Sequence, residues 1–252
     1  MNKIATNLAF YLILIFIVSC QKEPSVELPA NNSGNKLKTY TEDVTQAGLG
    51  HVVDSFVLNY DASDRIISMI SASAPGNRFE YSYPSANTVV SKLFNGNINE
   101  IYSEEYFLNN RIDSMFQYNN EGDSSTAKYI FNAAGQWTTQ REYDYSKATG
   151  AVLYLTTNYT YDSNGNQLKE EDSDGNTTTY EYYSDKMYYI PQIGPSRIPP
   201  VKRYLVKTIK TTQDGTTGTG NVTYKFDSQN RISSETIVTD MGSVIIKRYT
   251  YY

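Results

Sequence analysis

The residues able to do chemistry in this chain are few in kind. The only histidine is His51 and the only cysteine is Cys20. A Ser-His-Asp triad would have to recruit His51, yet no Gly-x-Ser-x-Gly segment or other nucleophile signature accompanies it. His51 reads as a structural or solvated side chain. One His and one Cys exclude zinc sites of the ordinary kind, and no Gly-rich phosphate loop is present, so neither metal nor cofactor is expected. Carboxylates are numerous, and glycoside hydrolysis needs only two of them, about 5–10 Å apart. A glycosidase therefore stands as the catalytic alternative, although many of the acids (Asp61, Asp162, Asp174, Asp227) fall in turns. Asp172-Ser-Asp174-Gly-Asn176 alternates oxygens as a calcium loop does, but Thr177 and Tyr183 stand where such a loop needs Gly and Glu. It reads as an Asp-Gly hairpin. What remains is aromatic: the single Trp137, the pairs Tyr159/Tyr161, Tyr180/Tyr182 and Tyr188/Tyr189, and Arg197 beside the last pair. These are the candidate ligand-binding residues, because amphipathic rings suit sugar and protein contacts.

The elements that must carry these rings repeat. "NYTYDSNGNQL", Asn158 to Leu168, places two tyrosines at i and i+2 before an Asp and a Gly/Asn turn. Similar stretches start at Phe56, Phe79, Glu104, Lys128 and Val222. Aligned on the second aromatic, they give Tyr60, Tyr83, Phe107, Phe131, Tyr161, Tyr183, Phe226 and finally Tyr251, at steps of 23, 24, 24, 30, 22, 43 and 25 residues. A near-constant step of this size marks an array of supersecondary units. Between these turns lies a second set, including Asn95-Gly-Asn97, Asp174-Gly-Asn176 and Asp214-Gly215, whose residues tolerate the positive φ of tight hairpins. Each unit is thus two strands of roughly 6–9 residues, and the whole is an all-β antiparallel meander of repeated hairpins. In a strand, i and i+2 share a face, so stacked units bring their tyrosines side by side. They could fill an interior or form exposed stacking rows. Strands such as 65–71 and 243–251 carry apolar residues on both faces, which favours a rolled or layered sheet over a flat one.

The stretch "YTYDSNGNQL", with Asp64-Arg65-Ile66 and Asn230-Arg231-Ile232 in other copies, resembles the YD repeat of RHS-type proteins over most of residues 52–251. In large relatives such repeats coil into a hollow β shell that encloses cargo. This chain is too short for that role, and its size resembles that of single-domain Bacteroidota lipoproteins built from degenerate repeats, many without an assigned function.

The N-terminus fits that comparison. Residues 1–19 read as a signal peptide: Lys3, then an apolar run from Leu8 to Val18 that is too short to span a bilayer. Its end, Ile17-Val18-Ser19-Cys20, resembles a lipobox, which implies that Cys20 is lipidated and that the partner of this segment is a membrane. With the thiol acylated, no disulfide can form in the mature chain. Gln21-Lys22-Glu23 resembles the export tag of Bacteroidota surface lipoproteins. Residues 20–39 form a Pro/Asn/Ser-rich tether. Residues 40–252 form one β domain, broken at about 187–202 by a Pro-rich insertion expected to lie over a sheet edge.

A formal charge of −5, with no basic cluster, argues against nucleic acid as a partner. The reading is a non-catalytic, surface-exposed outer-membrane lipoprotein that binds glycan or another envelope protein. The alternatives are a carboxylate glycosidase, a purely structural envelope protein, or attachment to the periplasmic face. Protease treatment of intact cells should remove the domain, as scored by immunoblot; a protected domain would place it in the periplasm instead.

Overall fold

The computed structural model describes residues 36–46, 50–108, 111–119, 123–146, 150–189, 193 and 202–252. The signal peptide, Cys20, the tether to residue 35, Arg197 and most of the Pro-rich insertion lie outside them. The described residues form sixteen strands: β1 (Leu37–Gln46), β2 (Gly50–Tyr60), β3 (Ile66–Ser71), β4 (Arg78–Ser85), β5 (Thr88–Asn95), β6 (Ile98–Leu108), β7 (Arg111–Asn119), β8 (Ser124–Phe131), β9 (Trp137–Ser146), β10 (Gly150–Tyr161), β11 (Gln167–Asp172), β12 (Thr177–Tyr189), β13 (Lys202–Gln213), β14 (Thr216–Phe226), β15 (Ile232–Thr239) and β16 (Val244–Tyr251). Several exceed the expected length, β12 reaching 13 residues. Every strand pairs antiparallel with its sequence neighbour, and β16 pairs with β1, so the meander closes into a barrel. With the ring closed there is no edge, and the Pro-rich insertion has none to cover. It joins β12 to β13 at one end of the barrel, where Ile193 packs against the core.

The aromatic turns all lie at that end, because they join even strands to the odd strands that follow. Several share one device. In Asp162–Asn166, Asp162 Oδ1 accepts the N–H groups of Asn164 and Asn166, both at 2.8 Å. Asp61 and Asp227 bind their own turns in the same way, and Asp172 repeats the device at the opposite end, between β11 and β12. The fourth residue is left-handed: Gly165 at φ 83°, and Asp64 and Asn230 at 60° and 61°, a conformation that Gly, Asn and Asp tolerate best.

The ladder then slips by one residue. Tyr161 pairs with Gln167 but Thr160 with Lys169, leaving Leu168 as a bulge. The same slip leaves out Ile67, Asp113, Thr138 and Ser233 in other units. It recurs at the seam, where Leu37 pairs with Tyr251 and Thr39 with Thr250. The first strand thereby supplies the second half of the last unit.

Where the second aromatic of a unit is Tyr, it points inward and holds its neighbour by the hydroxyl. Tyr60 donates to Leu37 O at 2.7 Å, Tyr83 to Ile66 O at 2.8 Å, Tyr182 to Gln167 O at 2.8 Å and Tyr251 to Ile232 O at 2.7 Å. Register and hydrogen bond both make Tyr182, rather than the Tyr183 of the sequence alignment, the aligned ring of its unit. Two turn arginines cover the ring of the next unit: Arg65 over Tyr83 at 4.3 Å and Arg231 over Tyr251 at 4.2 Å. Between these rings sits the core, with Leu37, Leu58, Met69, Leu205 and Ile232 almost wholly buried. The aromatic end is therefore a closed floor.

The outer wall mixes charged and apolar side chains. Asp43 on β1 accepts from His51 Nε2 on β2 at 2.8 Å and from Arg248 on β16 at 3.0 Å. Lys128 faces Arg141 across β8 and β9, and Arg78 meets Glu80 at 2.7 Å on β4. Val53, Val57, Ile130, Leu153 and Val238 are exposed among them. A lipid-facing wall would bear a cost of roughly 2–4 kcal/mol for each Lys or Arg near the bilayer midplane.

Asp227 gives the turn device a measurable signature. Burial opposes its charge, but hydrogen bonds from the Arg231 backbone, the Arg231 guanidinium and the Gln229 backbone outweigh it. The carboxyl lies below its ordinary 3.8. A depressed carboxyl contributes stability above its unfolded value and loses it as the pH falls through the folded one. Asp227→Ala should cost about 1 kcal/mol at pH 7 in urea unfolding, and the gap between variant and wild type should close as the pH drops below about 3.8.

Candidate ligand-binding cavity

Above the floor, on the β7–β13 side of the lumen, lies a cavity of about 450 Å³. It runs from Asn119, Asp123 and Asn176 at the opposite rim down to Trp137, Tyr159 and Tyr180. The size suits a small ligand or a short piece of a polymer.

Its wall is built by the bulge. After Trp137 the slip at Thr138 sends Gln140 inward, where it faces Tyr129 and Thr157 across the ladders, and Glu142 follows at i+2. After Gln167 the slip at Leu168 sends Glu170 inward opposite Tyr159. Hydrogen bonds link these groups into two chains. Tyr159 donates its hydroxyl to Gln140 Oε1 at 3.1 Å, Gln140 Nε2 donates to Glu142 at 2.9 Å, and Tyr154 donates to the other Glu142 oxygen at 2.6 Å. Tyr180 and Gln167 donate to Glu170 at 3.2 and 3.3 Å. Burial pushes the Tyr154, Tyr159 and Tyr180 phenols above their usual range, and the nearby carboxylates push the same way, so all three remain donors. Burial also raises the Glu170 carboxyl, against the hydrogen bonds from Tyr180, Thr178 and Gln167.

Trp137 is wedged between Tyr129, edge-on at 4.5 Å, and Tyr159 at 5.3 Å. It is 6% exposed, and its Nε1 has no hydrogen-bond partner among the described residues. Neutral donors and carboxylate acceptors above an aromatic base can bind a polyhydroxylated ligand. No group of three His, Cys, Asp or Glu side chains able to hold a metal occurs among the described residues.

Of the aromatic candidates, Trp137, Tyr159 and Tyr180 meet in this cavity. Tyr161 and Tyr182 point inward from the same strands, but their hydroxyls are given to Trp137 O and Gln167 O. The strands carrying these rows turn them into the lumen, so they are not exposed stacking platforms; Tyr159 and Tyr180 are 8% and 7% exposed. Tyr188 lies apart, stacked on Phe226 at 4.4 Å and packed against the core. Tyr189 continues β12 opposite Lys202, and Arg197 lies outside the described residues. A further aromatic pair lies on β6 and β7, where Tyr102 stacks on Tyr118 at 4.7 Å, and Tyr118 also lines the cavity. Sequence reasoning passed over Gln140, Glu142, Tyr154 and Glu170. Their signal was the inward period of two counted from the tyrosines, with one residue omitted after each turn.

No protein-family model and no curated protein matches the chain. Its fold is similar to that of two solved structures, each described as a porin-like protein. One, from Bacteroides uniformis, aligns at a TM-score of 0.59 and 12% identity, over 86% of this chain and 97% of the other. The second, from Bacteroides vulgatus, aligns at 0.59 and 11% identity, over 86% and 98%. At such identities the likeness is one of fold.

Glu170 tests the wall independently of any ligand. A carboxyl raised in the fold destabilises the charged native state, so its contribution declines as the pH rises from the ordinary 4.5 through the folded value. Glu170→Gln should be more stable than wild type at pH 8 in thermal unfolding, with the difference shrinking towards pH 4.5.

Proposed function

We propose that this chain is a non-catalytic lipoprotein of the bacterial outer membrane, built from degenerate YD-type units and anchored through Cys20. Its barrel stands in water beside the membrane and captures glycan in the cavity above the aromatic floor. The observation that carries the reading is the cavity itself: an indole and two phenols at the base, and amide and carboxylate groups on the walls. Porin-like proteins share the fold, but charged side chains along the outer strands argue against a lipid-spanning pore for this chain.

A second reading finds support in one observation. Glu142 and Glu170 share the cavity, and burial raises the Glu170 carboxyl, as the acid of a carboxylate pair requires. Hydrolysis of a glycan panel that survives both Glu142→Gln and Glu170→Gln would remove that reading.

Binding of the full-length protein, held in detergent, to a panel of polysaccharides and host glycans tests the main proposal. Specific binding is expected. Tyr154→Phe keeps the ring but removes a hydroxyl of a cavity-lining residue, and should weaken binding roughly tenfold. Lys128→Ala, on the outer wall, should leave it unchanged. Silence across the panel would instead direct attention to a protein partner, sought by cross-linking in the native envelope.

A further inference from the structure

The cavity is a well with one mouth, and that shape limits which part of a polymer can enter it. Its lining comes from β7 to β13, and each of these strands pairs with the next. The remaining strands complete the ring. Paired strands lie about 4.8 Å apart, so the wall has no side entrance for a sugar ring. The base is shut as well. Trp137, Tyr159 and Tyr180 line it and are buried, and so is Gln136 on the floor side of Trp137. An open channel through the floor would leave these side chains wet. Below them Tyr161 and Tyr182 bind Trp137 O and Gln167 O, which closes the wall beneath.

Exposure falls along a single strand as the well deepens. On β10, Tyr154 is 44% exposed near the rim and Tyr159 is 8% exposed at the base. From Tyr154 to Tyr159 the strand descends about 13 Å, at ~3.3 Å per residue and a tilt of roughly 40°. An internal segment of a polymer has to enter and leave by the same mouth, with two sugar strands abreast. A cavity of about 450 Å³ holds one small ligand, so a chain end fits where a hairpin of sugars does not. The base also supplies chemistry suited to an end. A terminal ring carries a free hydroxyl where an internal ring carries a glycosidic bond. Gln140 and Glu170 line the cavity with amide and carboxyl groups able to pair with that hydroxyl.

We propose that the cavity captures the free end of a saccharide chain, a terminus or a branch tip, which enters end-on with roughly two or three sugar rings inside. This deepens the glycan reading and rests on it. The terminal ring reaches the base beside Tyr159 and Tyr180, the next faces Glu142 and Tyr154, and the chain leaves past Asn119 and Asn176. Internal segments of the same polymer touch only the rim and are not held.

The test is calorimetric titration of the full-length protein in detergent with dextran, starch, arabinoxylan and galactomannan, each intact and after partial acid hydrolysis. Hydrolysis multiplies chain ends and leaves the sugars unchanged. Binding per mass of sugar should rise in proportion to the ends created, so that tenfold more ends lower the half-saturating mass about tenfold. Thr157→Tyr places a ring in the cavity between Gln140 and Asp172 and should abolish binding of the hydrolysates, with folding confirmed by circular dichroism. The hydrolysis comparison is made on the wild type and stands whether or not the variant folds. Equal binding per mass before and after hydrolysis overturns end capture while leaving glycan capture in place. Undiminished binding by a folded Thr157→Tyr protein overturns the cavity as the place of capture. Absence of binding by every sample overturns both readings.

Discussion

The seam between β1 and β16 is the pairing on which everything else in the molecule depends. Fifteen of the sixteen pairings join strands that are neighbours in sequence, and each could form in an open sheet; the sixteenth brings the two ends of the domain together. Without it, two long strands would offer unpaired backbone to other chains, a standing invitation to aggregate. The seam is closed by the means used between units. Leu37 takes the place of a first inward residue, Lys38 is the bulge, and Tyr251 donates to Ile232 as Tyr60 donates to Leu37. Lys36 reinforces the junction from above Tyr60, at 4.4 Å from the ring. Closure is thus the repeat completing itself.

Closing sixteen strands creates the next difficulty. A ring of that number leaves a lumen wide enough for water, and aliphatic side chains from opposite walls would not meet. Tyrosine solves this at one end. Its ring reaches further than Leu or Val, and its hydroxyl finds a strand-start carbonyl that the bulge leaves accessible. Tyr60, Tyr83, Tyr161, Tyr182 and Tyr251 do this, whereas Phe107, Phe131 and Phe226 fill the space in their units without such a bond; over Phe131, Arg111 covers the ring at 5.6 Å. Towards the other end the lumen wall from β7 to β13 is largely polar, and the cavity is what remains.

Much of this was legible from the residues. The alternation of two turn types, the shared face of Tyr159 and Tyr161, and the Asp that binds its own turn can all be read from spacing and residue chemistry. Closure could not, because rolled, layered and flat meanders satisfy the same alternation. The candidate site was half-legible for a sharper reason. Counting by twos from Gln167 sends Lys169 inward and Glu170 outward, and the bulge at Leu168 reverses this. The same reversal hides Gln140 behind Thr138. A one-residue slip exchanges the two faces for the rest of its strand, so the shared face of the aromatics before each turn could be read from spacing, and the inward set after it could not.

That reversal also accounts for how one repeat makes both a core and a cavity. Before the turn, Tyr-x-Tyr faces inward. After it, counting the first strand residue as i, the bulge sends i+3 and i+5 inward instead of i+2 and i+4. In units near the seam these positions hold Met69 and Ser71, which extend the core or bind Asp54. In the units of β9 and β11 they include Gln140, Glu142 and Glu170. The backbone device is the same in both, so a few side chains after the turn set whether a unit presents packed interior or polar wall, without disturbing the ladder.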